Sequence, residues 1–206
     1  MMVYLLHLFI GFLMAFLGLL TPGLLTMTTI DTSLDRGSKE AVKFSFGVVI
    51  PIIIQAHIAL LGAEYLHEHP EVIKSFSKIA VFIFWGLSYI FWRQYNRRHV
   101  VKKSGINIRN PYLYGLVISL INPMAIPFYF TYSSLLEMQG ILKLDEPYVS
   151  VFVLGAIMGA FAILHTYAKH AHRFIHRIQF IAKNFNLILA LVMFFLGLSA
   201  LVNSLW

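Results

Sequence analysis

The sequence predicts an all-α polytopic membrane protein of about six transmembrane helices, arranged as a 3+3 inverted repeat with helices 1 and 4 broken. Three observations carry this reading. Apolar residues make up 59% of the 206 and charged residues only 12%, and the mean hydropathy is +0.76. A soluble chain carries about 25% charged residues to cover its wet surface, a need that lipid removes. The charges are also gathered into short stretches, leaving long runs with no Asp, Glu, Lys or Arg. Finally, two of these runs contain proline next to a polar residue, at positions that can be set over one another.

A spanning helix needs about 20 mostly apolar residues. Residues 3–30 form the first such segment; they lack the basic start and small-residue cleavage site of a signal peptide. The second is 44–63. The third, 79–92, is short between charges, with Lys74 and Lys78 snorkelling at its start. Segments 111–136, 147–168 and 184–204 complete the set. Together they leave room for one transmembrane domain over 1–206, with repeat halves of approximately 1–95 and 108–206 joined by a linker at 93–110. Trp85, Trp92, Tyr148 and Trp206 suit interfacial anchoring. Gly155 and Gly159, with Ala156 and Ala160, form a small-xxx-small stripe that predicts close helix packing.

The basic residues sort by loop parity. Loops 31–43, 93–110 and 169–183 hold 13 of the 16, while the other side has Lys74, Lys78 and Lys143 with six acids. The positive-inside bias then puts these three loops in the cytoplasm and both termini outside, in a multi-pass protein of the plasma (inner) membrane. The net charge of +7 is accounted for by topology and lipid phosphates, not nucleic acid. The chain has no cysteine, which excludes disulfides, thiolate metal sites and thiol chemistry.

Helix 1 is interrupted at Leu20-Thr21-Pro22-Gly23 and helix 4 at Ile121-Asn122-Pro123. Proline removes a backbone donor and clashes with the preceding turn. Unpaired backbone at membrane depth is tolerated only inside protein or along a wet cavity. Setting Thr21-Pro22 over Asn122-Pro123 also brings Thr32-Ser33-Leu34 over Ser133-Ser134-Leu135. The motifs are three helices apart, in helices 1 and 4, so the copies enter the membrane from opposite sides, the layout in which broken helices build a substrate site.

Thr21, Pro22, Gly23, Asn122 and Pro123 are therefore the candidate substrate-binding residues, either meeting a ligand or repairing their own backbone. Gln55 and His57 form a polar pair inside helix 2, and a histidine there can serve proton coupling or simply bond between helices. His165, His170, His172 and His176 cluster near the last basic loop. His172 and His176, one turn apart, are the only weak metal candidates, since Lys169, Arg173 and Arg177 would repel a cation. No carboxylate lies inside a hydrophobic run, Asp31 being the nearest, which favours a zwitterionic or neutral substrate over a cation.

These residues resemble the LysE/RhtB family of amino-acid exporters over almost the whole chain. The resemblance is carried by Thr21-Pro22-Gly23 with Leu34-Asp35-Arg36-Gly37 and Lys39, and by Gly47, His57 and Leu61-Gly62. Trp85-Gly86, Ser88-Tyr89, Gly115 and Leu120-Ile121-Asn122-Pro123 continue it in order. Leu24, Leu25, Met124 and Pro51 depart from the family's pattern, marking a divergent member. The resemblance implies a secondary exporter of small polar metabolites, amino acids or their derivatives, moved by ion-coupled alternating access, with the proton as coupling ion. It implies no cofactor, membrane lipids as partners, and is compatible with a homodimer. The competing readings are a transition-metal exporter, a membrane-embedded enzyme and a scaffold. An enzyme is disfavoured by the lack of buried acids and thiols, and a scaffold has no need of two broken helices.

Overall fold

The structure is a computed structural model and describes residues 1–96 and 109–205. The described residues form seven helices and no strands: α1 (Met2–Leu20), α2 (Leu24–Arg36), α3 (Ser38–Glu68), α4 (Pro70–Asn96), α5 (Pro111–Leu120), α6 (Ala125–Met138) and α7 (Tyr148–Leu205). α7 changes direction at His170, whose φ of −119° and ψ of 28° leave the helical region. A loop is expected over 169–183; the chain instead stays helical there, bending once. No proline or glycine stands in that stretch to stop the helix.

The helix ends follow local chemistry. Asn110 caps α5, its Oδ1 accepting the amide of Tyr112 at 3.0 Å, with Pro111 at the first helical position. Gly37 closes α2 at a φ of +90°, which only glycine adopts without strain, and its amide returns to the Ser33 carbonyl at 3.0 Å.

Among the described residues, three helical segments are long and apolar enough to cross a membrane: Met2–Leu20, Ser38–Leu66 and Tyr148–Phe174. The pair Pro111–Leu120 and Ala125–Met138, bent by 58°, is apolar enough when taken together, and Leu187–Ser199 is a shorter apolar stretch. The chain is thus an integral membrane protein. The expected first segment, 3–30, is divided by the first break into α1 and α2, a polar half-helix. Thr26, Thr29 and Thr32 are buried on it, and Thr29 and Thr32 return their hydroxyls to the Leu25 and Thr28 carbonyls at 2.8 and 2.7 Å.

The chain divides into two compact units. The first comprises residues 1–65 and 106–176, the second 66–105 and 177–206. In the first unit two helix crossings are so close that a β-carbon would strike backbone. At Gly47 it would meet the Tyr112 carbonyl, and at Gly115 the Phe44 carbonyl, so α3 and α5 lock reciprocally. Gly11 and Gly155 oppose the Phe152 and Leu8 carbonyls, and Gly159 opposes that of Phe12, locking α1 to α7. The small-residue stripe on α7 therefore packs as expected. A loop that follows α6 is tied down in the same unit. His7, 1% exposed, accepts the Lys143 amide at Nε2 (2.9 Å) and donates from Nδ1 to the Val3 carbonyl (2.7 Å). In the second unit Ser88 donates to the Ala190 carbonyl at 2.8 Å, and Gly197 makes room for the Trp85 ring.

Candidate functional site

Both expected breaks are present. At the first, Thr21 is extended (φ −72°, ψ 141°), as a residue before proline must be, and Gly23 is extended in turn. The interruption frees the last carbonyls of α1, and three side chains take them up. Thr21 donates to Gly18 O at 2.7 Å, Thr26 to Leu19 O at 2.9 Å, and the Tyr167 hydroxyl of α7 to Leu20 O at 3.0 Å. The start of α2 has no side-chain cap.

At the second break, α5 ends in a tight turn with the Asn122 amide on Ser119 O at 3.1 Å. Pro123 offers no amide, and Gln55 of α3 supplies one instead, its Nε2 donating to Ser119 O at 3.0 Å and more weakly to Leu120 O at 3.5 Å. Asn122 Oδ1 accepts the Met124 amide at 3.2 Å, so its side chain holds the turn. Ser119, fully buried, donates to Val48 O at 2.9 Å and fastens α5 to α3.

The two breaks are built alike. Gly47 sits on the Tyr112 carbonyl, and eight residues further along each helix Gln55 reaches Leu120 O. Gly159 sits on the Phe12 carbonyl, and again eight residues on Tyr167 reaches Leu20 O. The first break holds three residues and the second four, which restores the Thr21–Asn122 correspondence read from the sequence. The broken helices also touch: a β-carbon at Gly18 in α1 would meet the Phe128 ring of α6, and α2 packs on α5. Pro22 is buried, but Leu20, Leu24, Leu120, Ile121 and Pro123 are exposed. One flank of each break is thus exposed.

Gln55 and His57 do not act as a pair. Two residues apart on a helix they point about 200° apart. Gln55 faces the second break, whereas His57 bonds its own helix at Ile53 O (2.8 Å) and comes within 3.9 Å of Glu146. His172 is exposed, and the side chain of His176 lies outside the described residues. Among the described residues no three His, Asp or Glu side chains gather as a metal site would require. Asp31 lies just past the first break on α2, partly exposed, with Asp35 one turn further on. An open groove of about 550 Å³ between Trp85, Tyr89, Trp92 and Phe194 belongs to the second unit and has no ionisable lining but tyrosine. It lacks convergent polar groups, and we assign it no chemistry. Sequence reasoning missed Tyr167, Thr26 and Ser119. The available signal for Tyr167 was its spacing from Gly159, matched by Gln55 and Gly47.

Comparison with known proteins adds one finding: the family model described as LysE type translocator matches residues 16–204. No curated protein and no solved structure matches.

Proposed function

Because this chain belongs to the LysE type translocator family, we propose that it is a secondary-active exporter of small polar metabolites, amino acids or their derivatives, working by proton-coupled alternating access. The observation that carries this reading is the pair of like-built breaks, each closed by a side chain from the helix crossing it. Discontinuous helices of inverted repeats form the substrate sites of many secondary transporters.

Two features support six spans in a 3+3 inverted repeat. The eight-residue spacings relate α1 and α7 to α5 and α3. The compact units also cut the chain symmetrically, the first taking two segments from each half and the second taking the third. Orientation is supported by convergence of basic segments: Arg36 reaches the Arg109 carbonyl at 3.4 Å, and Ser33 the Ala168 carbonyl at 2.6 Å. At 1.5 Å per residue, α2 and α5 put the breaks about 15–20 Å from that level, near the middle of a ~30 Å core. In this reading both termini lie outside, in the inner membrane.

Thr21, Pro22, Gly23, Asn122, Pro123 and Gln55 then frame the substrate. The uncapped amides that open α2 and α6 suit a carboxylate, and the carbonyl ends of α1 and α5 suit an ammonium group. His57, beside Glu146, tunes proton dependence. Export should be compared between cells with and without the protein by unbiased profiling of external metabolites, with Asn122→Ala as the site variant. A solute exported by the parent and at least about tenfold less by the correctly inserted variant supports the site; equal export removes Asn122 from it.

A further inference from the structure

We propose that Gln55 Oε1, at the C-terminal end of α5, is the acceptor for a cationic N–H donor, the ammonium group of the exported solute. This deepens the exporter reading and rests on it only for the solute's being cargo.

The orientation of the Gln55 amide is dictated by its neighbours. Both groups in its reach, Ser119 O and Leu120 O, are carbonyl oxygens, so the Nε2 must face them. That leaves Oε1, on a side chain only 6% exposed, with no hydrogen-bond partner. Gln55 continues the buried stripe Ser45, Val48, Ile52 and Ala59 on α3; the Ser45 hydroxyl is satisfied by the Ala41 carbonyl at 2.9 Å. A buried acceptor left unpaired is unfavourable and calls for a ligand or water to complete it.

The matching break is informative by contrast. There a tyrosine hydroxyl gives its one proton to Leu20 O, and the same oxygen is its only acceptor, whereas Gln55 carries its acceptor on a separate atom. The amide at the second break closes α5 equally well and keeps an acceptor in reserve. Around it lie the carbonyl end of a ten-residue helix, negative by its dipole, and no carboxylate among the contacts drawn above. Such a site holds an ammonium through hydrogen bonds and dipoles, and releases it without separating a buried ion pair. Oε1 is covered in this conformation, so the side chain is uncovered, with the α5 end still alongside, before an ammonium reaches it.

The test uses the purified full chain in detergent, with methylammonium chloride as probe and thermal unfolding followed by tryptophan fluorescence. Tetramethylammonium, a cation without N–H donors, and sodium are compared at equal ionic strength. Methylammonium should raise the unfolding temperature and the other two should not. In Gln55→Leu and in Gln55→Lys, which keeps a donor for Ser119 O but has no acceptor, its apparent affinity should fall at least about tenfold. Three results would overturn the proposal. These are a methylammonium effect no greater than that of tetramethylammonium, stabilisation by sodium alone, and methylammonium binding retained in either folded variant. If both variants fail to fold, the comparison of the three cations on the parent decides. Binding is read without transport, so its failure leaves the exporter reading standing, and absence of any exported solute leaves the binding result standing.

Discussion

Replacing His7 by phenylalanine isolates the bond that holds the loop after α6. The histidine is buried, its ring 5.0 Å from that of Tyr148, and phenylalanine preserves volume and ring contact. What disappears is polar. Nδ1 no longer donates to Val3 O, a net loss of about 1 kcal/mol, and the Lys143 amide loses its acceptor at Nε2. That amide lies between Leu142 and Leu144, which are 3% and 2% exposed, so water cannot readily replace the ring. Leaving it unsatisfied costs about 1–3 kcal/mol, for a total of about 2–4 kcal/mol. If the loss falls on local opening of the loop, the open population rises about thirty-fold or more, since about 1.4 kcal/mol is tenfold. Trypsin cleavage after Lys143 in proteoliposomes reads this directly, because proteolysis follows the open population when reclosing is fast. His7→Gln, which keeps an acceptor, should be cut at a rate between the parent and His7→Phe. Cleavage of His7→Phe within about threefold of the parent would refute the assignment of a neutral, Nδ1-protonated His7 as the anchor.

The other predictions test the first break and the orientation. Tyr167→Phe removes the donor to Leu20 O and should destabilise the protein by about 1–2 kcal/mol in mixed-micelle unfolding. Thr166→Val, whose hydroxyl bonds only its own exposed helix, should change stability by less than about 0.5 kcal/mol, and equal effects of the two would dismiss the bond. Single cysteines at Lys102 and Lys143 should react with an impermeant maleimide from opposite sides of the membrane, and labelling of both from outside would overturn the orientation.

Composition and charge placement determined by themselves that this chain lives in a membrane, because hydrophobic length and the scarcity of charge are sums over residues that need no partner. The breaks at Thr21–Gly23 and Asn122–Pro123 were legible for a similar reason: proline removes a hydrogen bond wherever the chain goes. The Arg36–Gly37 turn is likewise local. What closes the breaks was decided only by the tertiary structure. Tyr167 lies 147 residues from Leu20, and Gln55 lies 65 from Leu120; which freed carbonyl meets which side chain depends on helix crossings set by Gly47, Gly115, Gly11, Gly155 and Gly159. Helix geometry alone puts Gln55 and His57 on different faces of α3, but only the packing decided that Gln55 is the one to meet α5. It also gave His7, an unremarkable residue in an apolar run, an amide 136 residues away to hold. Helix rotation and crossing angle emerge from all the contacts together, and no stretch of sequence contains them.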